Sequence, residues 1–199
     1  MRIYRHAESV SNAGGRTETA AGIALSPLGE DQARKIAEQL LTAPDLFVVS
    51  PYLRTQQTAA PSMDRYALVP VEVWPIQEFT YLSTSKYNGT TPQERAAPIK
   101  EYWERGDAFY RDGTTTESFN EFLSRVDRFI EQVRTRPEKD IVVFGHGHFI
   151  RALRMRLTHR GSEVSPARAM REYETKWRAL VVKNGECLTL KKSDPRLWK

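Results

Sequence analysis

The sequence predicts an α/β protein: a three-layer α/β/α sandwich with a mostly parallel central sheet flanked by helices. Three observations predict it. Short apolar runs of strand length alternate with amphipathic helical stretches, the order expected of parallel strands joined by crossover helices. The 199 residues suit a single domain (1–199), with a modest insertion at about 79–116 folded over the main body. Apolar residues at 40% and aromatics at 10% are enough to fill such a core.

The first strand is short, Ile3-Tyr4, and runs at once into Arg5-His6. A helix is expected from Ser26 to Leu41. Ser26 caps it, Pro27 fits its first turn, Glu30 and Asp31 suit the positive helix end, and Leu28, Ala33, Ile36, Ala37 and Leu40 form its apolar face. Leu46 to Ser50 (LFVVS) reads as a buried strand, followed by the helix YLRTQQTAA, stopped at Pro61. Val69 to Trp74 alternates as a further strand. From Phe79 to Thr116 glycine, threonine and proline loosen the pattern, with one helix expected after Thr91-Pro92 and Tyr102 and Trp103 as the insertion's small core. Ser118 and Glu121 form a capping box for a helix to about Arg134, whose apolar face is Phe119, Phe122, Val126, Phe129, Ile130 and Val133. Ile141 to Phe144 is another buried strand and HFIRALRMRL the helix after it. RALVVKNGECLTL reads as a hairpin turning at Asn184-Gly185.

Composition narrows the function classes. No run of 18 or more apolar residues occurs, so no membrane span is expected. Met1 is followed by polar and charged residues rather than a signal-peptide core. The single cysteine, Cys187, sits in an apolar alternation and reads as a buried thiol, consistent with a reducing, cytoplasmic setting. Net charge is +5, which favours anionic partners. Net charge alone does not distinguish nucleic acid from phosphorylated metabolites. The charge is spread without a basic run, however, so no dedicated nucleic-acid surface is expected and the expected partner is a small phosphorylated substrate. Oligomeric state leaves no trace in the sequence.

Three strand ends carry the chemistry: Arg5-His6 after the first strand, Arg54 after LFVVSPYL, and His146 after IVVFG. Ligands of open α/β sheets bind beyond the carboxyl ends of the strands, so parallel strands bring these four residues to one edge. Two guanidiniums and two imidazoles in one pocket repel unless an anion lies between them, and the guanidinium fork matches phosphate oxygens. No GxxxxGK[ST] loop, Cys-x5-Arg loop or HExxH is present, and GHGH without carboxylate or cysteine companions is a poor metal signature. A histidine nucleophile attacking phosphorus remains, with the cations stabilising the transferring group and neither metal nor cofactor expected.

On these residues the chain resembles the histidine phosphatase (phosphoglycerate mutase-like) superfamily. RHAESVSN is similar to the family's RHGES-xxN, LSPLGEDQA to LTxxGxxQA, SPYLRTQQTA to SxLxRAxxTA, ESFNEFLSRV to ESxxxxxxRV, and FGHGHFIR to GHGxxIR. The resemblance implies His6 as the phosphorylated nucleophile, Arg5 and Arg54 as phosphate clamps, and His146 as the second catalytic histidine. It also implies Ser9, Asn12 and Gly147 in the phosphate pocket, with the insertion over the active site. Glu78, in VWPIQEF, stands where the family carries its general acid, ahead of Glu8, Glu72 and Glu117. The implied activity is a phosphomonoester phosphatase. A mutase-type phosphotransferase and a non-catalytic phosphate- or phosphoprotein-binding module are the alternatives.

The chain departs from the family in places. Ala7 replaces a glycine, which demands a negative φ and brings a methyl group towards the phosphate. GGRTETAAG (14–22) does not reproduce the mutases' substrate loop, which favours hydrolysis. His148 lies outside the shared motif and reads as an exposed residue at a helix start. Arg151 is expected to brace structure. Specificity is expected from 13–22 and 79–116.

Overall fold

The computed structural model describes residues 1–159 and 164–191. Its sheet has the order β3-β2-β4-β1-β5. These strands are β1 Arg2–Arg5, β2 Leu46–Val49, β3 Val71–Val73, β4 Ile141–Gly145 and β5 Cys187–Thr189. β3, β2, β4 and β1 run parallel, and β5 adds antiparallel to β1. The crossover helices are α1 Pro27–Gln39 and α2 Leu53–Arg65; α3 Thr84–Tyr87 and α4 Ala96–Arg105 form the insertion; then come α5 Phe119–Thr135, α6 Gly147–Thr158 and α7 Pro166–Glu172. A π-helical turn, Tyr173–Trp177, continues α7. The predicted α/β class and mostly parallel sheet are what the structure shows.

The strand pleat sorts the core into two layers. Tyr4, Phe47, Val49, Val142 and Phe144 pack with Ile36 and Leu40 of α1 and Ala59 of α2. Ile3, Leu46, Val48, Ile141 and Val143 face the other way, against α5 and α6. Every predicted apolar position of α5 is buried, and its Ser118–Glu121 capping box is formed. Tyr102 and Trp103 are buried too, but in the main cluster with Ile3 and Val143 rather than in a core of the insertion's own. Phe79 stacks on Phe122 of α5 at 4.5 Å between centroids, joining the two. Among the described residues no helix is long and apolar enough to cross a membrane.

Local expectations fail where tertiary contacts outweigh them. Leu28 is 51% exposed, because five residues before Ala33 place it about 140° round the helix from the buried face. Pro61 does not stop α2, which runs on to Arg65. The carbonyl of Gln57 forgoes its helical N–H there, while buried Ser62 and the bond from Arg65 Nη1 to Ala37 O (2.8 Å) hold the next turn. The expected terminal hairpin does not form. Its Asn184-Gly185 turn is present, with Gly185 at φ +74°, but residues 178–182 make no strand. Their carbonyls are taken by side chains: Leu180 O by Arg151 and Val182 O by Arg5. The segment after the turn pairs with β1, at the sheet edge, which leaves Cys187 exposed rather than buried.

The loop after β1 depends on one glycine. Gly29 is buried in the first turn of α1, and a Cβ there would lie 1.9 Å from the carbonyl oxygen of Glu8. Gly29→Ala is therefore expected to destabilise the protein by about 3 kcal/mol, read as a lowered denaturation midpoint. An unchanged midpoint would show that the loop moves freely.

Candidate active site

Register brings the strand ends together. Arg5 lies opposite Gly145 in the β1–β4 pair, and the next amide, His6 N–H, donates to Gly145 O at 2.9 Å. His6 therefore sits beside His146, with ring centroids 5.2 Å apart. Ser50, just beyond β2, contacts His146 Nε2 through its hydroxyl at 2.8 Å. Tyr52 stands edge-on to His146 at 5.4 Å. Arg54 enters from the first turn of α2, its guanidinium 4.9 Å from the Tyr52 ring centroid.

The hydrogen bonds of His6 select its tautomer. Nδ1 lies 2.7 Å from the carbonyl oxygen of Ala7, which only accepts, so Nδ1 carries the proton. Nε2 keeps its lone pair, and Arg54 Nε donates to it at 3.1 Å. Arg54 Nη1 is anchored on Ala20 O at 2.7 Å, and Arg5 Nη1 on Val182 O at 2.6 Å. Arg5 Nε and His146 Nδ1 are buried with no hydrogen-bond partner. Burial first, then the Arg54 charge, pushes both His6 and His146 well below the ordinary histidine value of 6.5. Both rings are neutral near pH 7. Burial also lowers Arg5 and Arg54, so an anion between them relieves a real electrostatic cost.

Gly147 opens α6 against Arg5. A Cβ there would stand 3.3 Å from Arg151 Nη1, a tight contact, and 3.4 Å from Arg5 Nε, at the edge of ordinary contact. Glu78, beyond β3, accepts the backbone N–H of His148 at 3.0 Å and of Phe79 at 3.1 Å. The other carboxylates are engaged elsewhere: Glu8 with Ser26, Glu72 with Arg136 and Trp74, Glu117 with Arg125. Ser9 and Asn12 close a turn on each other, Ser9 Oγ donating to Asn12 Oδ1 at 3.0 Å. They reach the histidine through Asn184, whose Nδ2 donates to Asn12 Oδ1 (3.1 Å) and to His6 O (2.9 Å).

Two expectations about neighbours change. His148 is no exposed helix start. Its ring stacks on Trp103, its Nδ1 lies 2.7 Å from the Tyr173 hydroxyl, and burial lowers its pKa to about 4. The insertion and the π-turn cover the start of α6. Ala7 keeps a negative φ and packs its methyl with Leu25 and Ala33, its N–H bonded to Thr58 Oγ1 at 3.0 Å. The extra methyl therefore fills a core. Arg151 braces the chain, as expected, through Leu180 O.

A cleft of about 230 Å³ opens beside this cluster, lined by Thr17, Tyr52, Arg54, Glu78, Tyr81 and Arg95, among others. Its walls are the loop around Thr17–Ile23 and the insertion. Gly89 N–H donates to Thr17 O at 3.0 Å and Arg16 pairs with Glu94 at 3.0 Å, sewing the two segments together. Both segments expected to set specificity thus meet on one cleft. Sequence reasoning missed Ser50, Tyr52, Thr58 and Asn184. Ser50 and Tyr52 lay within the recognised SPYLR segment, whereas Asn184 looked like an ordinary turn residue.

The fold and this edge belong to one known family. The profile of the histidine phosphatase superfamily (branch 1) matches residues 1–194, and the chain is a member of it. A Hydrogenobacter thermophilus protein named, provisionally, phosphoserine phosphatase 2 is 27% identical over 82% of this chain and 80% of its own. The 2,3-bisphosphoglycerate-dependent phosphoglycerate mutase of Corynebacterium efficiens is 26% identical, covering 76% and 73%. Among solved structures, a mycobacterial glucosyl-3-phosphoglycerate phosphatase superposes with a TM-score of 0.68 at 25% identity, covering 94% and 88%.

Two outcomes are expected from this geometry. Unfolded histidines protonate as pH falls through 6.5, while His6, His146 and His148 resist protonation in the fold. Stability is thus fully present above pH 6.5 and lost from there down through about 4; a flat unfolding midpoint across that range would contradict the burial. Gly147→Ala is expected to shift the Arg151 side chain and to weaken binding of inorganic phosphate by no more than roughly threefold, measured by calorimetry; a loss of roughly tenfold or more would show that Arg5 is displaced as well.

Proposed function

We propose that the protein is a metal-independent phosphatase that hydrolyses a phosphomonoester through a phosphohistidine on His6. The observation that carries the reading is the His6 tautomer: Nδ1 is spent on Ala7 O, and Nε2 presents a lone pair among Arg54, Arg5 and His146. In the first step Nε2 attacks phosphorus and the P–O ester bond breaks. The leaving oxygen takes a proton from the carboxylic acid of Glu78. In the second step the Glu78 carboxylate takes a proton from water, the water oxygen attacks phosphorus, and the P–N bond breaks to release phosphate. Arg5, Arg54 and His146 stabilise the charge on the equatorial oxygens in both steps. Ser9, Asn12 and Gly147 hold the loop and helix end around them, and the cytoplasm is the proposed setting.

Membership of the superfamily and the phosphatases among the relatives support hydrolysis. So does the loop at 14–22, which does not match the mutases. A mutase-type transferase would carry the same phosphohistidine but shield it from water.

The test is phosphate release from p-nitrophenyl phosphate and a panel of phosphometabolites in the presence of a chelator. His6→Ala is expected to abolish release and the acid-labile phosphoenzyme; undiminished turnover in that variant sinks the mechanism. Glu78→Gln is expected to slow turnover of alkyl esters by roughly 10²- to 10⁴-fold while phosphate still binds. Phosphoryl exchange between phosphoglycerates without phosphate release would identify a mutase instead.

A further inference from the structure

The cleft holds a second basic residue that phosphoryl transfer does not use. Arg95 precedes α4 and lines the cleft together with Arg54. Its Nη1 donates to the carbonyl oxygen of Thr90 at 2.7 Å and to the Thr90 hydroxyl at 2.9 Å. Thr90 O also faces the Thr17 amide at 3.4 Å, so the anchor of Arg95 is the seam between the two cleft walls. Among the described residues Nε and Nη2 of Arg95 make no hydrogen bond, and no carboxylate lies within ion-pair distance of it.

The nearby acids are accounted for. Glu94, its chain neighbour, is drawn away by Arg16 at 3.0 and 3.1 Å and by the Thr91 N–H at 2.7 Å. Glu78 is held by two backbone amides, and Glu18 lines the cleft from the exposed loop without pairing with Arg95. Half of a planar guanidinium fork is thus pinned to the wall, while the other half is left to the cleft. Ile23, Leu82 and Ile99 add apolar surface to the same space. A fork so placed matches a carboxylate or a phosphoryl group and is pre-organised to bind it.

We infer that Arg95 receives a second acidic group of the substrate, which is therefore a compact phosphomonoester that also carries a carboxylate or a second phosphoryl group. Arg54 and Arg5 hold the phosphoryl group to be transferred, and Arg95 holds the other end of the molecule. The cleft volume of about 230 Å³ is that of a small-metabolite site. This inference rests on the phosphatase reading above and assigns the specificity of that site.

The test compares the wild type with Arg95→Gln and Arg95→Lys. The probes are p-nitrophenyl phosphate and glycerol phosphate, which lack a second acidic group, phosphoglycerate for the carboxylate, and a sugar bisphosphate for the second phosphoryl group. Turnover is measured for each, and binding by calorimetry for the last three. Wild type is expected to prefer phosphoglycerate or the bisphosphate to glycerol phosphate, and whichever it prefers identifies the second group. In Arg95→Gln the kcat/KM ratio of that compound to p-nitrophenyl phosphate is expected to fall about 10- to 100-fold, chiefly through KM, with its affinity falling in parallel. Arg95→Lys is expected to recover part of the loss. An unchanged ratio and affinity, an equal loss on all substrates, or a wild type indifferent to the second acidic group would each overturn the inference. A wild type that binds the doubly acidic compounds but hydrolyses nothing would count against the proposed reaction and leave the role of Arg95 standing.

Discussion

The site depends on one pairing, the parallel register of β1 against β4. It continues past the strands as the bond from His6 N–H to Gly145 O, and it sets two imidazoles 5.2 Å apart at the sheet edge. One residue of slip would turn His6 to the opposite face and swap the two core layers. Because Ile3 and Tyr4 are committed to different faces, the apolar core itself locks the register. The geometry of the candidate site and the packing of the core are thus a single constraint.

Around that pairing the chain spends its polar groups on holding cations. Val182 O and Ala20 O anchor Arg5 and Arg54, which come from different elements, so neither guanidinium is free to turn away from the pocket. The segment before β5 gives up its strand character to do this, since its carbonyls face arginines instead of a neighbouring strand. Asn184 then ties the turn to the main chain of His6. The last part of the described chain therefore closes the site that the first part opens.

The insertion works in a similar way from the other side. Its aromatic residues are continuous with the main core, and His148, at the start of α6, is enclosed by Trp103, Tyr81 and Tyr173. The same residue gives its backbone N–H to Glu78, so the carboxylate is oriented by a helix end that the insertion covers. The candidate site and the cleft beside it are built on one packed body.

The sequence by itself determined the α/β class, the two buried central strands, the capped α5 and the convergence of Arg5, His6, Arg54 and His146. Period and strand-end position carry that information locally, because a residue's place on a strand or helix follows from its neighbours in the chain. Only the tertiary structure decided the rest. Pro61 lies inside α2 because burial beyond it outweighs one lost hydrogen bond. The terminal hairpin opens because arginines from elsewhere take its carbonyls, and His148 is half-buried because a distant insertion folds over it. The Ala7 methyl packs in a core, and Asn184 reaches His6 across 178 residues of sequence. Each of these turns on contacts between segments remote in the chain, whose free energies exceed the local preferences that a linear reading can see.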